Sequence, residues 1–95
     1  MIINNLLLKL KDRDINNIKQ TQNTLLKMKG KISVLLDIQA ELNIRPNKTN
    51  YDIILITKFQ SLEDMNSYLT HPVHLEVAKF IGSVLDTQAS VCYEL

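Results

Sequence analysis

Two short stretches of this chain are apolar on both faces of an extended backbone, and that limits what the chain can fold into. Residues 2–11 read Ile2-Ile3-Asn4-Asn5-Leu6-Leu7-Leu8-Lys9-Leu10-Lys11, with Leu6, Leu8 and Leu10 on one face and Ile3 and Leu7 on the other. Residues 51–59 repeat the pattern: Tyr51, Ile53, Leu55, Thr57 and Phe59 share one face, Ile54 and Ile56 the other. Successive side chains of a strand point to opposite sides, so a run apolar on both sides predicts a strand covered on both. Two further runs differ. Over 34–44, Val34, Leu36, Ile38, Ala40, Leu42 and Ile44 face one way and Asp37, Gln39, Glu41 and Asn43 the other, with Leu35 among them. That pattern predicts a strand with one polar back. Residues 87–95 predict a closing strand, with Ala89, Val91, Tyr93 and Leu95 inward and Gln88, Ser90, Cys92 and Glu94 outward.

Helical spacing occupies the intervals. Asp14 is a good N-cap for a helix over 15–29, whose stripe is Ile15, Ile18, Gln22, Leu25 and Lys29, flanked by Thr21, Leu26 and Met28. Lys27 and Lys29 suit its C-terminal end, and Gly30 its stop. Arg45-Pro46-Asn47-Lys48-Thr49-Asn50 is a loop by composition. Ser61, followed by Glu63 and Asp64, opens a short helix that runs to about Leu69. Pro72 steers the preceding residue out of the helical region and then starts a further helix with the stripe Val73, Val77, Ala78, Ile81 and Leu85, with Gly82 near its end.

The order is β-α-β-β-α(α)-β over a single domain, 1–95. It predicts an α+β fold with a ferredoxin-like βαββαβ sheet, strands one and three central and strands two and four at the edges. Helices cover only one face of such a sheet. The large aliphatics on the other face exceed the few hundred Å² of apolar patch usual on a monomer, and each is worth about 1.5–3 kcal/mol when buried. A second copy of the chain is the expected cover: a homodimer through the sheet face, its two sheets forming a dimeric α/β barrel.

Composition excludes several classes. The 95 residues carry a net charge of +1 and are 5% aromatic, which supports no field for nucleic acid and no aromatic platform for RNA. No apolar run approaches the roughly 20 residues that span a bilayer. A single cysteine, Cys92, and a start, Met-Ile-Ile-Asn-Asn, without a basic leader region fit a reducing cytoplasm. The two glycines, Gly30 and Gly82, lie far apart and form no phosphate cradle. The two histidines, with no neighbouring cysteine or spaced carboxylates, fall short of a metal-ligand set, and no cofactor is expected.

Both histidines lie in Tyr68-Leu69-Thr70-His71-Pro72-Val73-His74. His74 falls in the first turn of its helix, where burial and the positive dipole end disfavour imidazolium; a neutral ring accepts a proton at pH 7. The Tyr68 O–H can polarise a carbonyl or stabilise an enolate, and the pair suits abstraction of an acidic carbon-bound proton. The same residues also fit a purely structural role: His71 a helix cap, His74 a satisfied histidine at the edge of the core, Tyr68 a packing residue with a wet tip.

Taken with Met1-Ile2 and Leu8-Lys9-Leu10-Lys11-Asp12, Leu26-Lys27 and Lys29-Gly30-Lys31-Ile32, Tyr51-Asp52, Phe59-Gln60-Ser61-Leu62-Glu63-Asp64 and the closing Tyr93-Glu94, this segment resembles the stress-responsive A/B barrel domain family across nearly the whole chain. The resemblance implies a dimeric α+β barrel whose biochemistry is mostly undefined. A similar plant member is a cofactor-independent polyketide cyclase, which implies His74 as base and Tyr68 as its assistant. Members commonly carry a histidine on the first strand, where this chain has Asn4; an amide hydrogen-bonds but does not titrate near neutrality, which counts against a two-histidine arrangement. Asn4, Tyr68, His71 and His74 are therefore the candidate ligand-binding residues, with His74 and Tyr68 the candidate catalytic pair. The leading expectation is binding of a small, fairly apolar molecule in the barrel cavity. The alternatives are a cyclase-like proton-transfer enzyme and a structural stress protein with no ligand. An open cavity reached by His74 separates the first two from the third.

Overall fold

A computed structural model describes all 95 residues, and side-chain caps begin each helix. Asp14 accepts from the Asn16 N–H at 2.9 Å and starts helix α1, Ile15–Leu26. Ser61 accepts from the Asp64 N–H at 3.1 Å and starts α2, Leu62–Leu69, with Glu63 and Asp64 in the first turn. His71 accepts from the Val73 N–H through Nδ1 at 3.1 Å and starts α3, Pro72–Val84, with Pro72 in its first turn. Each cap satisfies a backbone donor that a helix start otherwise leaves free.

The strands are β1, Ile2–Leu10; β2, Asp37–Leu42; β3, Ile53–Phe59; and β4, Leu85–Glu94. They form one sheet in the order β2-β3-β1-β4, every neighbouring pair antiparallel. The two strands apolar on both faces therefore hold the centre, as expected. Leu8 and Leu10 of β1 and Ile53, Leu55 and Phe59 of β3 pack against Ile18 and Leu25 of α1, Tyr68 of α2, and Val77 and Ile81 of α3. This is a ferredoxin-like α+β fold with its core between the helices and one sheet face.

The register defines the other face. Leu7 lies opposite Ile54 and Ala89, Asn5 opposite Ile56 and Val91, and Ile3 opposite Lys58 and Tyr93. Since Leu8, Leu10, Ile53 and Leu55 face the helices, these residues face away from them. Val91 is 65% exposed and Tyr93 45% exposed.

That placement corrects the reading of the last strand: Ala89, Val91 and Tyr93 do not point into the subunit's core, and Gln88, Ser90 and Cys92 lie on the helix side. The sequence hides the cause. Helix α3 passes into β4 with no connecting loop, and a bulge there sets Leu85 opposite Leu10 but Thr87 opposite Lys9, with Asp86 as the extra residue. Leu85 and Val91 share odd numbering yet face opposite sides.

Three other bounds differ from expectation. Helix α1 ends at Leu26 rather than 29, because Met28 and Lys29 close tight turns onto the carbonyls of Leu25 and Leu26, carrying the chain to Gly30 at φ 75°. Strand β2 covers only Asp37–Leu42; bonds from the Leu36 N–H to the Lys58 carbonyl and from the Asn43 N–H to the Asp52 carbonyl close its ends, and Ile44 lies beyond them, 92% exposed. Strand β3 begins at Ile53 rather than 51, and the residue just before it, Asp52, anchors the strand's entry. Its buried carboxylate accepts from the Leu10 N–H at 2.9 Å and from Arg13 Nε at 3.0 Å, while the Arg13 guanidinium also donates to the Asn47 and Asn50 carbonyls. This clasp ties the end of β1 to the 43–52 loop.

Candidate ligand cavity

A cavity of about 380 Å³ lies between the sheet and the helices, at the low end of the range of ligand pockets. Leu6 and Leu8 of β1, Leu25 of α1, Leu55 of β3, and Val77 and Ile81 of α3 give it apolar walls. Polar groups reach it from three directions: Asn4 from β1, Gln88 from β4, and Tyr68 and His74 from the break between α2 and α3. No Asp, Glu, Lys or Arg lines it.

The break creates the central pair. Pro72 ends α2 and starts α3, so Tyr68 in the last turn of one helix and His74 in the first turn of the next are brought together, ring centroids 4.5 Å apart. Phe59 supports Tyr68 from the sheet at 4.9 Å, and the tilted arrangement of both pairs is the favoured aromatic geometry. Tyr68 is 3% exposed, and burial pushes its phenol up to about 12, so the O–H stays protonated at any physiological pH. Its one hydrogen-bond partner in the protein is Met28 Sδ at 3.8 Å, a weak acceptor.

His74 Nδ1 lies 3.0 Å from the Leu69 carbonyl. A carbonyl only accepts, which assigns the proton to Nδ1 and leaves Nε2 of the neutral ring with its lone pair free. Burial lowers the His74 pKa and outweighs the Leu69 carbonyl, which favours the charged form. The pair thus joins a weakly engaged donor to an uncommitted acceptor, in a cavity that the amides of Asn4 and of solvent-exposed Gln88 also line.

Of the four residues singled out in the sequence, Asn4, Tyr68 and His74 line the cavity together. His71 stands apart; its Nδ1 is held by the Val73 N–H and the residue is not part of the lining. Gln88 escaped sequence reading because the bulge inverted its face. Gly82 carried only the signal of a glycine inside a helix, yet it lines the cavity and a Cβ there would meet nothing within 4 Å. Thr57, opposite Asn4 in the register, holds a buried hydroxyl with no partner. No group of three or more His, Cys, Asp or Glu is placed to hold a metal ion, and no helix is long and apolar enough to cross a membrane.

Together these features define a ferredoxin-like domain with a ligand-sized cavity, free of Asp, Glu, Lys and Arg, between its sheet and three helices. The stress responsive A/B barrel domain model matches residues 5–95, and the chain belongs to that family. It is similar in structure to a dimeric protein of unknown function with a ferredoxin-like fold from Bacteroides fragilis, at 27% identity and TM-score 0.84, over 99% of this chain and 95% of that one. A dimeric ferredoxin-like protein of unknown function from Thermobifida fusca aligns at 20% identity and TM-score 0.85, over 99% and 90% of the two chains. The hydroxynitrile lyase from Passiflora edulis aligns at 13% identity and TM-score 0.83, over 97% and 90%. The last two establish likeness of fold alone. No curated protein matches the chain in sequence.

Proposed function

We propose that the chain works as a homodimer, paired through the helix-free sheet face, and that each subunit binds a small, largely apolar molecule in its cavity. The observation that carries the binding reading is the cavity itself: about 380 Å³ of apolar-walled space reached by polar groups that the protein leaves weakly bonded or unbonded. The space opens to solvent at Gly82 and Gln88, so a small molecule can enter it without rearrangement of the fold. Dimerisation draws support from the apolar residues on the uncovered face and from the dimeric state of the B. fragilis and T. fusca proteins. Native mass spectrometry of protein purified from its own host tests both parts. Dimers carrying a co-purified small molecule are expected. Folded monomers at micromolar concentration would sink the pairing.

A specific geometry favours a second reading, proton-transfer catalysis. With Nδ1 anchored on the Leu69 carbonyl, Nε2 of His74 would take a proton from an acidic carbon, and the Tyr68 O–H would donate to the enolate oxygen so formed. Returning the proton to carbon or to a leaving group restores both residues. His74→Ala should abolish turnover of a β-keto substrate while the dimer persists; undiminished turnover would remove His74 from the mechanism.

A further inference from the structure

We infer that the cavity selects uncharged molecules bearing a hydroxyl group and rejects carboxylates of the same shape. The inference rests on the binding reading and adds the chemical class of the ligand.

The argument starts from charge. No Lys or Arg lines the cavity, its one titratable base is His74, whose burial disfavours the charged ring, and the surrounding wall is aliphatic. An anion seated against that wall would shed part of its water with no fixed opposite charge to meet, a cost that apolar contact does not offset. Hydrogen-bond polarity points the same way. His74 presents a free lone pair at Nε2, because Nδ1 is committed to the Leu69 carbonyl. A carboxylate carries only acceptors, so its oxygens would face that lone pair without a proton between them. The Tyr68 O–H, held only by Met28 Sδ, needs an acceptor. A ligand hydroxyl lying against this pair accepts from Tyr68 and donates to His74; a ketone meets only the first demand. The amides of Asn4 and Gln88, which line the same space and each offer donors and an acceptor, add polar contacts along the sheet without adding charge.

Gly82 supplies a means of crowding the cavity rim without unfolding the domain. It lines the cavity from α3, and a side chain begun there meets no atom within 4 Å. Leucine favours a helix more than glycine does, so Gly82→Leu adds bulk at the exposed rim of the cavity while keeping α3.

The test is a titration of the full chain at pH 7.5 with cyclohexylmethanol and with cyclohexanecarboxylate, one skeleton with an uncharged and a charged head. Binding is followed by NMR at the His74 ring and the Asn4 and Gln88 side-chain amides. The expected result is at least tenfold tighter binding of the alcohol, with shifts at those groups, and at least tenfold loss of that binding in Gly82→Leu. Carboxylate binding equal to or tighter than the alcohol's would overturn the inference and leave the binding reading standing. Alcohol binding that shifts none of the His74, Asn4 and Gln88 signals lies outside the cavity and would also overturn it. If neither compound binds, both the inference and the binding reading fall.

Discussion

Tyr68 does two jobs whose energetics separate cleanly. Its ring is packed between Phe59 and His74, while its hydroxyl meets only a thioether. Tyr68→Phe should therefore change stability by less than about 1 kcal/mol, whereas Tyr68→Ala should cost about 3–5 kcal/mol, as for other buried aromatics. Denaturant melts of the two variants check this; a large loss for phenylalanine would mean the hydroxyl is better bonded than its one contact suggests. The phenol's pKa is raised from 10.0 to about 12 in the fold. The stability linked to it is complete below pH 10 and lost as pH climbs toward 12, about 3 kcal/mol in all at about 1.4 kcal/mol per pKa unit. An alkaline unfolding limb that shrinks in Tyr68→Phe is the expected signature. His74 acts in the acid range with the opposite slope. Its folded pKa lies below the ordinary imidazole value of 6.5, so its linked stability is complete above 6.5 and declines as pH falls toward the lowered value. Removing the ring with His74→Gln should flatten that part of the stability profile. The meeting of these two side chains was legible in the sequence, because a proline between two helical patterns forces a turn that brings their ends together. The tautomer was not, since it depends on which carbonyl the ring happens to meet.

At the scale of elements, the Asp52 clasp is where sequence reading fell short. Tyr51-Asp52 looked like the start of a strand, and nothing local distinguishes a carboxylate that faces water from one folded under the end of β1. Only the antiparallel pairing of β1 with β3 brings Asp52 beside Leu10 and Arg13. Arg13 reaches Asp52 at 2.9 Å and stays partly exposed, while the carboxylate is almost wholly buried. Asp52→Ala leaves the Leu10 N–H without its acceptor and the guanidinium without its counter-ion, and should cost about 3 kcal/mol or more. Arg13→Ala should cost less, because water can approach that side of the carboxylate. A double-mutant cycle with hydrogen exchange at the Leu10 amide distinguishes this clasp from an incidental surface pair, for which the coupling would be within about 1 kcal/mol of zero. The helix starts were readable because caps are local; the α3–β4 junction was not, because a bulge depends on the neighbouring strand.

The whole molecule leaves one sheet face to be explained. Central strands apolar on both sides announced that face in the sequence, and the register places its members: Leu7, Ile54, Ile56, Ala89, Val91 and Tyr93. Val91→Lys adds charge at a position already 65% exposed in the single subunit, so it should leave the fold intact and halve the mass seen by light scattering at micromolar concentration. An unchanged mass would place the subunit contact elsewhere. The apolar ground is also lopsided. It covers β4, β1 and β3, whereas β2 presents Asp37, Gln39 and Glu41 to the same side. A twin that pairs through this face by two-fold symmetry should sit off-centre, its axis displaced toward β4, so that the charged margin of each sheet, where Asp37 lies 3.8 Å from Lys58, overhangs into water. In a Cys92→Ser background, Val91→Cys should then bridge the two copies under oxidation and Gln39→Cys should not. The uneven wetting of a single face would in this way fix how far the twins slide past each other.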